Sequence, residues 1–87
     1  MQILWHDDAW EDYLYWQTQD KKTLKKINNL LRDISRNRYE SIGKPEPLSG
    51  NLSGFWSVRI DGKNRIVFRI CNDNIEIIQS GSHYRDK

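Results

Sequence analysis

One carboxylate stands between two prolines in Lys44-Pro45-Glu46-Pro47-Leu48, just ahead of a strand-rich segment carrying Arg59 and Arg65. Each proline disfavours the helical region for the residue before it, so Lys44 and Glu46 are expected to be extended and to have little backbone freedom. An immobilised carboxylate facing fixed guanidinium groups is an arrangement suited to chemistry on an anion. The same Pro-Glu-Pro run also reads as a rigid solvated connector. Near the end of the chain, Ser80-Gly81-Ser82-His83-Tyr84-Arg85 sets a titratable imidazole beside a phenol, after small residues that allow close approach. Taken singly, His83 reads as a surface or hydrogen-bonded histidine, Tyr84 as a packing residue and Arg59 as a solvated strand residue. His6 fits no chemical role and is read as local structure.

The elements that must hold these residues can be placed from pattern. Gln2-Ile3-Leu4-Trp5 is a short run of strand formers, and Asp7-Asp8 is a helix start that sets negative charge in the first turn. Within residues 7 to 19, Trp10, Tyr13, Leu14 and Gln17 fall at helical spacing and are expected to face the core, leaving Glu11, Asp12 and Tyr15 to other faces. Asp20 can cap a second helix running to about Asn37. There Leu24, Ile27, Leu31 and Ile34 make an apolar seam, and Lys21, Lys22, Lys25, Lys26 and Arg32 lie off it. The two helices read as a hairpin with its seams against a sheet. Residues 38–54 read as a long connection, and three strands follow at 55–60, 65–71 and 75–80 as an antiparallel meander.

Alternation within those strands puts Trp56, Val58 and Ile60 on one face with Ile66, Phe68 and Ile70. A three-residue loop, Asp61 to Lys63, is needed to keep both apolar sets on the same side. It pairs Val58 with Ile66 and Arg59 with Arg65. Like charges directly opposite are unfavourable unless an anion sits between them. In the third strand Ile75, Ile77 and Ile78 do not alternate, and its register stays open.

At 87 residues the chain has room for one core, so a single domain over 1–87 is expected. The lone Cys71 excludes an internal disulfide and a zinc site of the usual type, and the acidic residues are scattered, so neither a metal nor a cofactor is expected. There is no basic segment followed by an apolar run at the start, and no stretch long enough to span a bilayer; a cytoplasmic protein without membrane contact is the expectation. The formal net charge of +2 hides a division. Residues 1–20 hold five acidic and no basic side chains, and residues 21–44 hold eight basic and two acidic ones, which points to a polyanion partner on one surface.

The runs ILW, WEDYLYW, KKIN, KPEPL, NLSGFWSVRI, RIV and HY cover nearly the whole chain and resemble the YoeB (Txe) toxins of the RelE/ParE superfamily of bacterial toxin–antitoxin systems. The resemblance implies an α+β fold of RelE-like, microbial-ribonuclease-like type, with an N-terminal strand and a two-helix hairpin packed on a twisted, mainly antiparallel sheet. It implies ribosome-dependent cleavage of messenger RNA in the A site, and neutralisation by a YefM-type antitoxin; a homodimer is a further assembly to test. By position, Glu46 resembles the family's general base, Arg65 its phosphate-stabilising residue and His83 its general acid, with Tyr84 and Arg59 in support. Lys44 and Ser49 fall at substrate-contact positions, but where relatives carry a lysine this chain has Ser49. Two other readings are a superfamily toxin that inhibits gyrase by binding, and a plain RNA-binding module. The first lacks a use for the base, arginine and histidine set, and the second needs the basic face but neither Glu46 nor His83.

Overall fold

The computed structural model describes residues 1–81. Strand β1 (Ile3–Trp5) leads into helix α1 (Asp7–Gln19) and helix α2 (Lys21–Asn37); then come β2 (Glu46–Pro47), β3 (Trp56–Arg59), β4 (Arg65–Cys71) and β5 (Asn74–Gly81). The sheet order is β1-β5-β4-β3-β2. β1 runs parallel to β5 and the other neighbours are antiparallel, so the expected α+β fold with a mainly antiparallel sheet holds. Among the described residues no helix is long and apolar enough to cross a membrane.

Asp20 separates the helices and serves both. Its backbone is extended and its N–H bonds to Trp16 O, ending α1. Its carboxylate accepts from the N–H of Lys22 and of Thr23 and from the Thr23 hydroxyl, capping α2. The Thr23 hydroxyl and backbone hold that carboxyl below the usual carboxylate range. From this cap the α2 seam runs as expected: Ile27, Leu31 and Ile34 are buried and Leu24 packs beside them. They meet Val58, Ile60, Ile66, Phe68, Ile75 and Ile77 from one face of the sheet. Each such side chain, fully buried, contributes about 1.5–3 kcal/mol.

Three expectations need correction. In α1 the buried strip is Ala9, Asp12 and Trp16, whereas Trp10 is 42% exposed, Leu14 is 36% exposed and Gln17 faces solvent. The helix is turned by polar contacts: Asp12 and Trp16 both bond to the backbone of Ser80. The aromatic residues instead form a lateral cluster, with Trp5 and Tyr13 ring centroids 4.7 Å apart and Trp10 within 5.8 Å of each. Second, the connection over 38–54 is not structureless. It holds turns of 3-10 helix at Arg38–Glu40 and Gly50–Leu52, and the two-residue edge strand β2. Third, Glu46 is extended in β2 as expected, but Lys44 takes a positive φ of 55°.

The open register of the third strand is explained by a bulge. Val67 pairs with Gln79 and Phe68 with Ile77, which leaves Ile78 without a partner across the strand. Ile75 and Ile77 therefore point into the core, and after the bulge it is Ser80 that does.

Candidate active site

The face of the sheet turned away from the helices carries the residues singled out by their chemistry. The three-residue loop forms as expected: Val58 pairs with Ile66 and Arg59 with Arg65, with Ile60 N donating to Asn64 O at 2.8 Å. Glu46 is paired with Ser57, Ser57 with Val67 and Val67 with Gln79, so these four share one row across the sheet. The adjacent row is Arg59, Arg65 and Gly81. The carboxylate and the two guanidinium groups thus lie one row apart on one surface.

Lys44, Glu46, Ser57, Arg59 and Arg65 line a cavity of about 250 Å³ with Gly43. Lys44, Glu46 and Arg59 are exposed, Arg65 is half-buried and Ser57 is buried at the floor. Arg65 Nη1 reaches Ser57 Oγ over a long 3.4 Å. No ion pair joins Glu46, Arg59 or Arg65 to another described residue. Glu46, Ser57 and Arg65 also border a wider hollow of about 670 Å³ whose far side is Leu48, Val67 and Gln79. On the other side, Gly43 and Arg59 border a groove of about 700 Å³ along α2, lined by Lys22, Lys25, Lys26, Arg32 and Arg36. A cationic track therefore leads into the cavity, which is the electrostatic footprint that a phosphate backbone requires.

The Glu46 backbone is set by its approach. Asp33, on α2, accepts from Ile42 N at 2.6 Å and from Gly43 N at 3.4 Å. Gly43 packs so closely that a Cβ there would stand 3.1 Å from Leu30 Cδ2 and 3.3 Å from Val58 Cγ1. Lys44 N then donates to Ser41 O at 3.0 Å, and the residue holds its positive φ before Pro45. Such a conformation costs of order 1–3 kcal/mol and persists where neighbours over-determine it, as Asp33 and the close packing at Gly43 do here.

Of the sequence-based site residues, the structure brings together Lys44, Glu46, Arg59 and Arg65. Ser49 is exposed at the start of the Gly50–Leu52 turn and does not line the cavity. His83 and Tyr84 lie outside the described residues. His6 reaches far in sequence: its Nε2 lies 2.6 Å from Glu76 Oε2 on β5. Ser57 and Asp33 were not anticipated. Ser57 could have been found, because once Val58 pairs with Ile66 the period of two places Ser57 beside Val67 on the arginine face. Among the described residues no group of three or more His, Cys, Asp or Glu could hold a metal ion.

Two helices on one face of a five-stranded sheet, with a cationic cavity on the other, define a small α+β protein. YafQ of Escherichia coli shares this fold with a TM-score of 0.69 at 17% identity, over 93% of this chain and 91% of that one. The particular family is shown by sequence: residues 5–84 match the model of the YoeB-like toxin of bacterial type II toxin–antitoxin systems, and the chain belongs to that family. Toxin YoeB of E. coli K12 is 48% identical over 84 residues, covering 97% of this chain and all of the relative. YoeB chains of Staphylococcus aureus, solved in a heterotetrameric YoeB–YefM complex and as a YoeB dimer, are 45% identical with TM-scores of 0.90 and 0.86. Each comparison covers 97% of this chain and 98% of the other.

Proposed function

We propose that this toxin is a single-domain endoribonuclease that cuts messenger RNA in the ribosomal A site by attack of the 2′-hydroxyl on the adjacent phosphate. That reaction needs one group to take the 2′ proton, another to protonate the departing 5′-oxygen, and a cation to stabilise the crowded phosphorane. Glu46 takes the proton. Arg65, which stays charged and presents a planar fork, holds the phosphorane oxygens. His83 gives its proton to the leaving oxygen, with Tyr84 and Arg59 in support and Lys44 on the message backbone. Ser49 brings no charge where relatives bring a lysine, so Lys44 and Arg59 carry the phosphate contacts. None of these roles calls for a metal or cofactor.

The observation that carries this reading is the open cavity in which Glu46 lies one row from the paired Arg59 and Arg65, with no ion pair to a described residue consuming any of the three. The groove along α2 supplies the contact to ribosomal RNA. A YefM-type antitoxin, the partner of the S. aureus relative, silences the toxin in the cytoplasm by covering this surface with an acidic or apolar segment that folds on binding. A second copy of the chain is the further partner, as in the S. aureus dimer. The test is cleavage of message on programmed ribosomes by the wild type and by a double substitution, Glu46→Ala with His83→Ala. Cleavage by the wild type alone is expected. Equal cleavage by both, or by neither, would remove the assignment.

A further inference from the structure

The reaction above gives no part to Asp12, yet its side chain is fully buried. A carboxylate removed from water costs several kcal/mol unless it is well bonded, so its placement calls for a use. Asp12 Oδ2 accepts from Ser80 N at 3.0 Å. One turn onward Trp16 Nε1 donates to Ser80 O at 2.8 Å, and one turn back Ala9 O accepts from Ser80 Oγ at 3.0 Å. Residues 9, 12 and 16 form one strip of α1, and that strip holds the N–H, the C=O and the hydroxyl of a single residue.

The position of Ser80 explains why. β1 pairs with β5 only as far as Ile77, and His6 N closes that ladder on Ile77 O. Beyond it, among the described residues, β5 has only β4 beside it, and the α1 side chains take up the backbone groups of Ser80. Gly81 completes the fit: a Cβ there would lie 3.1 Å from Asp12 Cγ and 3.3 Å from Oδ1. Ser80 pairs with Ile66 and Gly81 with Arg65, so the clasp sits at the sheet's edge beside the phosphate-binding arginine.

We propose that Asp12, with Trp16, is a positioning residue for the general acid: it fixes Ser80 and Gly81 beside Arg65, and Gly81 stands two residues ahead of His83 in the chain. The proposal rests on the reading of His83 as the proton donor to the leaving 5′-oxygen. Asp12 touches neither substrate nor reacting atoms.

A change of leaving group tests it. Single-turnover cleavage is measured on saturating ribosomes with two messages, one natural and one with sulfur in place of the bridging 5′-oxygen at the cut site. A thiolate leaves without protonation, so the second message bypasses the acid. Asp12→Ala is expected to slow the natural message about 100-fold, the scale of a misplacement of about 1 Å, while ribosome affinity stays within about twofold and the sulfur message is cut near the wild-type rate. Asp12→Asn, which keeps one acceptor for Ser80 N, should recover part of the loss. Should Asp12→Ala fail to fold, Gly81→Ala, whose Cβ pushes on the carboxylate, is read in the same way. Equal loss on both messages, a loss confined to ribosome binding, or no loss in either variant overturns the proposal. His83→Ala is the control. If the sulfur message does not rescue it, the acid assignment falls and the clasp's role with it; if it rescues His83→Ala but not Asp12→Ala, the clasp proposal alone fails.

Discussion

Two arginine and carboxylate clusters share the open face of the sheet and are built in opposite ways. At one end Arg69 Nε donates to Glu76 Oε1 at 2.6 Å, His6 Nε2 stands 2.6 Å from Glu76 Oε2, and the Arg69 guanidinium lies 4.9 Å over the Phe55 ring. Arg69 first, and His6 after it, hold the Glu76 carboxyl below its usual range, and Glu76 in turn raises Arg69. Four residues along β4, about 13 Å away, Arg65 faces Arg59 with Glu46 a row aside, and no described carboxylate closes on either guanidinium. A cluster whose charges are mutually satisfied ties β4 and β5 to the β1–α1 junction at His6. One whose like charges are left opposed has its energy to gain from an incoming anion. The same residue types thus do structural work at one end of a strand and are available for chemistry at the other.

The sharpest way to break this comparison is to exchange the fates of the two arginines. Arg65→Ala should lower single-turnover cleavage on saturating ribosomes by about 10²–10³, the usual range for a donor aimed at transition-state charge, with ribosome affinity little changed. Arg65→Lys should rescue it poorly, because a point charge does not reproduce the fork. Arg69→Ala should leave that rate alone and instead lower the melting temperature. A loss below about tenfold at Arg65, or a comparable rate loss at Arg69, would erase the distinction.

A smaller effect is expected in the groove along α2. Replacing Lys25 and Lys26 together with glutamine should weaken ribosome binding and reduce its salt dependence by about one to two released counterions, while the rate at saturation holds. An unchanged salt slope would take that groove out of the interface. Smaller again is the acid limb of stability. Glu76 has a depressed folded-state pKa, so its contribution is present above the unfolded value of about 4.3 and is lost as pH falls through the lower folded value. Unfolding followed by circular dichroism below about pH 4.3 should therefore flatten in Glu76→Gln. The wild-type slope persisting in that variant would place the linkage elsewhere.

The same contrast separates what could be read from the chain and what could not. The α2 seam was legible because Leu24, Ile27, Leu31 and Ile34 follow the helical period without competition. The Arg59–Arg65 pair was legible because only one loop length keeps Val58 and Ile66 on a common face. The α1 face was not: periodicity favours the strip with the most apolar area, and nothing local shows that Asp12 and Trp16 are claimed by Ser80, more than sixty residues away. β2 is two residues long and gains its strand character only from Ser57 and Trp56. Lys44 departs from the extended backbone that Pro45 favours because Asp33 and the packing at Gly43 fix the turn before it. In each miss a long-range contact outweighed a local preference.

In the proposed reaction Glu46 and Arg65 serve an attack by the message's own 2′-oxygen. The most direct measurement replaces the single 2′-hydroxyl at the cut site with hydrogen and follows binding and cleavage on programmed ribosomes. Binding should be retained and cleavage abolished, while the unmodified message yields an upstream fragment ending in a cyclic phosphate and a downstream fragment with a free 5′-hydroxyl. Robust cleavage of the deoxy-substituted message, or a 5′-phosphate on the downstream product, would contradict the account.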